Sequence, residues 1–155
     1  YFLSDGVSWS MAEIKMKRKA SAVWNGGLKG GKGTVSSDSG VLADTQYSFS
    51  TRFENGAGTN PEELIAAAHA GCYSMALSAE LEKAELTPES VSTTATLTFE
   101  KTDAGFTITV SHLDVVANVP DADAAKFAEI AQAAKVGCPV SRALTAEITL
   151  DAKLA

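Results

Sequence analysis

The 155 residues carry a formal charge of -6, with 45% apolar and 21% charged side chains. That is the size of one domain able to bury a core. The acidic balance excludes sequence-independent binding to nucleic acid, which needs a cationic surplus, and no stretch has the apolar length to span a bilayer. Two cysteines behind an opening without the basic-then-apolar order of a signal peptide point to a reducing cytoplasm. There a thiol pair is more often transient or catalytic than a structural staple.

Residues 1–10 read as an expression remnant outside the fold, which leaves 11–155 as a single domain. Ile14, Met16, Ala20, Ala22 and Trp24 alternate with Lys15, Lys17, Lys19 and Ser21, the pattern of a half-buried strand. The Lys15–Lys19 run then reads as a solvated strand face. The glycines around Asn25–Gly31 lack the strand-to-helix context of a phosphate loop and mark a hairpin connection. A second strand is expected near Gly33–Ser37. A third is expected over Thr45–Phe53, with Tyr47, Phe49, Thr51 and Phe53 on one face.

Asn60 then caps a helix, Pro61 suits its first position, and Glu62 and Glu63 complement its positive end. The helix should run to about Lys83. It is apolar all round and rich in small residues, Ala66, Ala67, Ala68, Ala70 and Gly71 among them. This predicts a central, buried helix with Cys72 on the face of Leu64, Ala68, Met75 and Ala79. Two small sheets cannot easily cover such a helix, and homodimerisation is a natural remedy. A thiol in this setting is most often a small apolar residue.

Strands follow over Val91–Phe99 and from Phe106 to about Val119. A second helix is expected from Pro120-Asp121, then a break at Val136–Pro139, a short helix through Leu144 and a final strand around Ile148–Ala152. Together these make an α+β chain. Cys138 sits at a helix start with Pro139 in the first helical position. Free N–H groups there favour a thiolate, as would Arg142 folding back, so sequence physics marks Cys138 as the more acidic thiol.

The runs Thr59-Asn60-Pro61-Glu62-Glu63-Leu64, Ala67-Ala68-His69-Ala70-Gly71-Cys72 and Val136-Gly137-Cys138-Pro139-Val140-Ser141 resemble the two cysteine motifs of the OsmC/Ohr family of peroxidases. The branch resembled is that of osmotically inducible protein C. The resemblance extends from about Ala20 to Leu154, through Gly31–Ser36 and Thr51-Arg52-Phe53-Glu54. It implies an OsmC-like α+β fold, two antiparallel β-sheets wrapped around long central helices in an intertwined homodimer. It also implies a thiol-dependent peroxidase acting in oxidative and osmotic stress. Such an enzyme reduces organic hydroperoxides, and more weakly hydrogen peroxide, without a cofactor or metal. By carry-over Cys72 is the peroxidatic thiol, Cys138 the resolving thiol, Arg52 the family's arginine and Glu62 its partner carboxylate. The implied reductant is a dithiol such as a lipoylated protein.

The residue types suit that chemistry. A thiol is mostly protonated at neutral pH and burial raises its pKa further, so a cation must hold the thiolate. Arginine keeps its charge when desolvated and can be fixed by a bidentate carboxylate. Glu62 and Cys72 are ten residues apart on one helix, or ~15 Å along its axis. If Glu62 serves a Cys72, that cysteine belongs to a second copy.

Three competing readings follow from the same residues. His69 precedes Cys72 by three residues and would allow a Cys–His hydrolase dyad, though no third group or oxyanion turn is visible. A zinc set from Cys72, Cys138, His69 and His112 lacks a close ligand pair, and His112 reads as a hydrogen-bonded residue on a strand face. A non-enzymatic carrier with an apolar pocket at a dimer interface is the third.

Overall fold

A computed structural model describes residues 14–155, which gather into two units, one ending at Gly58 and the other running from Thr59 to Ala155. The assignment of residues 1–10 as an expression remnant lies outside the described residues.

In the first unit β1 (Ala20–Asn25) pairs antiparallel with β2 (Lys32–Ser37), which pairs antiparallel with β3 (Thr45–Tyr47). Gly26 turns the chain at φ +94, a conformation that side chains with a Cβ resist. Gly33 has no side chain, and the Trp24 and Tyr47 rings close over it with centroids 5.3 Å apart. A Cβ there would run into the Tyr47 ring.

Two expectations fail in this unit. The first strand begins at Ala20 rather than near Ile14, because β2 ends at Ser37, opposite Ala20, and offers no further ladder. Ile14 and Met16 are accordingly exposed. The third strand stops at Tyr47, and α1 (Phe49–Phe53) replaces its second half. Ser48 and Thr51 form a reciprocal cap. The Ser48 hydroxyl accepts from the Thr51 N–H at 3.2 Å, and the Thr51 hydroxyl accepts from the Ser48 N–H at 2.8 Å. Two orphan donors at the helix start are thereby satisfied. Phe49 and Phe53, alternate on a strand, are also i and i+4 on a helix, and their rings meet at 4.7 Å.

The second unit opens with α2 (Pro61–Lys83), capped by Asn60, whose side chain accepts the Glu63 N–H at 2.7 Å. β4 (Ser90–Thr102) and β5 (Gly105–Asn118) form a long antiparallel hairpin. After it come α3 (Ala124–Gly137), α4 (Pro139–Ala143) and β6 (Glu147–Leu154). The α+β class and the two sheets are as expected, but the second sheet is mixed. β6 runs parallel to β5, in the order β4-β5-β6. The helices between β5 and β6 carry the chain back to the end where β5 began, so it re-enters in the same direction. α3 starts three residues later than expected. Asp121 is left-handed at φ +67, and Asp123 is the cap, accepting the Lys126 N–H at 2.9 Å.

The core of this unit lies between α2, α3 and one sheet face. Tyr73, Leu77 and Leu81 meet Leu113 and Val115 of β5 and Phe127 and Ala131 of α3. The Tyr73 hydroxyl donates to the Ala131 carbonyl at 3.0 Å and ties the two helices together. Only one stripe of α2 is buried, the one through His69, Tyr73, Leu77 and Leu81. The expected all-round burial does not occur within this unit. Ala68, Gly71, Met75 and Ala79 are exposed, Met75 to 76%, because this unit covers α2 from one side only.

Candidate active site

Cys72 lies half-buried at the edge of the buried stripe of α2, and Cys138 is fully buried where α3 gives way to α4. Cys138 ends the first helix, its N–H bonded to the Ala134 carbonyl at 2.9 Å, and starts the second, its carbonyl accepting from Arg142 N–H at 3.0 Å. Pro139 follows without an N–H, so Val140 supplies the first free backbone donor of α4. That donor favours the Cys72 thiolate, and the Cys138 thiol also acts on Cys72, so both groups belong to its surroundings. Both are free. Two sulfurs far apart in sequence thus act on one another in the fold.

The helix start therefore acts on a different sulfur from the one expected. Reasoning from sequence directed the free N–H of α4 to Cys138, whereas in the fold the Val140 N–H serves Cys72 and Arg142 is exposed. Burial pushes the Cys72 thiol up from its ordinary pKa. The Val140 N–H opposes that shift, while Cys138, through its hydrogen bond and its charge, adds to it. The net direction is upward, so this surrounding alone favours the protonated thiol. Tyr73 is also pushed up, first by burial and then by the charge of Cys138. It stays a neutral donor to Ala131.

His69 is completely buried. One ring nitrogen meets the Ser111 hydroxyl at 2.7 Å and the other meets the Ser141 hydroxyl at 2.8 Å. Each imidazole nitrogen has a single in-plane hydrogen-bonding direction, and both are taken by serines. The Cys–His dyad is therefore not formed. Burial lowers the pKa of His69 and keeps the ring neutral. His112 alternates with the buried Ser111 and Leu113 and so faces the other side of the sheet. There it meets Thr149 at 2.6 Å and Asp114 at 3.3 Å, the strand-face role expected of it. Because His112 and His69 lie on opposite faces, the zinc set cannot close. Among the described residues no cluster of three or more metal-ligating side chains occurs.

Glu62 stands in the first turn of α2, and the helix runs unbroken from there through Cys72. The ~15 Å axial separation holds in the folded chain. Arg52 belongs to the first unit, on α1, with its guanidinium 5.5 Å from the Phe53 ring centroid. It lines a pocket of about 230 Å³ with Trp24, Leu28, Tyr47, Phe49 and Phe53. Sequence reasoning did not find the Val140 N–H, Ser111 or Ser141. The available signal was His69 itself, because a histidine within an apolar helix run must find polar partners once buried.

The family model described as OsmC-like protein matches residues 54–153. The chain is 56% identical over 141 residues to Peroxiredoxin OsmC of Escherichia coli (strain K12), an alignment covering 91% of this chain and 99% of that protein. It is 33% identical over 129 residues to the organic hydroperoxide resistance protein OhrB of Bacillus subtilis (strain 168), covering 81% and 92%. The crystal structure of the Bacillus subtilis OhrB superposes with a TM-score of 0.63 at 26% identity, over 88% of this chain and 98% of that one.

Proposed function

The chain belongs to the OsmC-like protein family, and from that premise we propose how its thiol peroxidase activity is carried. Cys72 is the peroxidatic residue. Its thiolate attacks the terminal oxygen of an organic hydroperoxide, an S–O bond forms, the O–O bond breaks, and the alkoxide takes a proton to leave as an alcohol. Cys138 resolves the resulting sulfenic acid. Its sulfur attacks Cys72, the S–S bond forms, and the hydroxyl departs as water with one proton. A dithiol then reduces the disulfide by exchange; a lipoylated protein in a reducing cytoplasm fits that role. The observation that carries this reading is that Cys138 and the Val140 N–H, distant in sequence, both act on the Cys72 thiol.

In this reading Arg52 supplies the positive charge that holds the Cys72 thiolate, and the aromatic pocket that Arg52 lines suits an apolar alkyl or aryl chain better than hydrogen peroxide. Removing that charge should leave the thiol to burial and Cys138. In Arg52→Ala we expect peroxidase activity to fall by about two orders of magnitude, as when a single charge-stabilising group is lost. The pH midpoint for alkylation of Cys72 by iodoacetamide should move above that of an ordinary cysteine. Since the thiolate is the nucleophile, activity in this variant should keep rising with pH where the parent protein has levelled off. An unchanged midpoint would remove Arg52 from the site.

Glu62 orients the guanidinium, and it serves the cysteine of a second copy. The rigid α2 holds it ~15 Å from its own Cys72, and the small, exposed face of α2 through Ala68, Gly71 and Met75 offers a surface for close approach of another chain. Mixing tests this. Cys72→Ser and Glu62→Gln chains, each impaired alone, should regain activity on unfolding and refolding together, because the mixed dimer holds one complete site. Absence of recovery in a verified mixed dimer would place Glu62 in the same chain's site or outside it.

A further inference from the structure

His69 has no step in the cycle above, yet the fold buries it completely beside the reacting thiols. Burial of an imidazole is tolerated when both nitrogens are satisfied, and the two serines that satisfy this one stand on different elements. Ser111 is fully buried on β5, so its bond fixes the ring against the sheet. Ser141 belongs to α4, and that helix is poorly held. It has five residues, none of them fully buried, and its cap residue Cys138 makes no side-chain capping bond. Val140 packs against the core, and the neighbouring Ser141 is tied to His69 at 2.8 Å. The same short helix carries the resolving sulfur at its start and the N–H that acts on Cys72.

We propose that His69 is a positioning residue for disulfide closure: through Ser141 it clamps α4 to α2, so that Cys138 stays within bonding reach of Cys72 while the sulfenic acid waits. This rests on the peroxidatic and resolving roles given above. Closure joins two thiols that already act on one another, and its rate depends on how rigidly they are held, since a misplacement of ~1 Å can cost ~100-fold. The bond to Ser111 holds the ring from behind, and the bond to Ser141 transmits that hold to α4.

The test is a single turnover with cumene hydroperoxide and no reductant, quenched at intervals with dimedone to trap sulfenate and read by mass spectrometry. Ser141→Ala keeps both cysteines and removes only the α4 arm of the clamp. Closure should slow roughly five- to tenfold, the factor one hydrogen bond supplies. Sulfenate on Cys72 should become trappable, and its formation should slow less than its conversion to disulfide. Ser141→Thr, which keeps the hydroxyl, should restore closure. A purely structural role would lower the melting temperature of Ser141→Ala and leave the closing rate at the parent value, and that result overturns the proposal. A slowing that threonine does not reverse would overturn it as well. If Cys138→Ser accumulates no sulfenate on Cys72, the underlying cycle falls and the clamp falls with it.

Discussion

Replacing Cys72 with serine is expected to bring reduction of cumene hydroperoxide by reduced lipoamide to the uncatalysed background, a loss of about three orders of magnitude or more. A serine hydroxyl is far less nucleophilic toward a peroxide oxygen and cannot pass through a sulfenic acid to a disulfide. Cys72 is half-buried at the core's edge, so the exchange should leave the melting temperature nearly unchanged, and an inactive variant cannot be dismissed as unfolded. Cys138→Ser should behave differently. It should consume one equivalent of peroxide and stop with sulfenate on Cys72, unless an external thiol resolves it. Sequence physics marked Cys138 as the more acidic thiol, whereas the fold directs the Val140 N–H to Cys72. Sulfenate trapped on Cys138 in the Cys72→Ser protein, with none on Cys72 in the reciprocal variant, would reverse the assignment.

The largest expected loss of stability is at Phe127. This ring is 1% exposed and packs where α3 closes over α2 and the sheet. Phe127→Ala should cost roughly 3–5 kcal/mol, the transfer of the ring plus the cavity it leaves. For a unit of this size that lowers the melting temperature by more than about 10 °C. A guanidinium titration gives the same quantity as a shifted midpoint, and Val41→Ala, at a position 85% exposed, should move neither. A Phe127→Ala protein of parent-like stability would show that α3 is not part of the cooperative core. Because the cysteine pair spans α2 and the α3–α4 junction, the same variant should also lose peroxidase activity at temperatures where the parent keeps it.

The elements that could be read from sequence are those whose signals are local. α2 begins and ends where its cap, its proline and its uninterrupted run place it, and the β4–β5 hairpin follows alternation interrupted by Asp103-Ala104-Gly105. The misreadings have separate causes. Alternation over Thr45–Phe53 fits two periods at once, and a two-residue cap at Ser48 and Thr51 decided between them. The strand before Ala20 has the right alternation, but a strand exists only where a partner's backbone can pair with it.

The site divides in the same way. Sequence alone supplied the residues to which the chemistry is assigned in our proposal, two thiols in their motifs, an arginine and a carboxylate, and a helix spacing that keeps Glu62 from its own Cys72. Side-chain chemistry and helical rise follow from residue identity and need no partner. Only the tertiary structure decided which sulfur receives the N–H at the start of α4, that both nitrogens of His69 are bound by serines, and that one stripe of α2 is buried while another stays bare. Those outcomes depend on groups tens of residues apart in the chain, and hydrogen bonding and burial act through distance in space, to which local sequence pattern is blind.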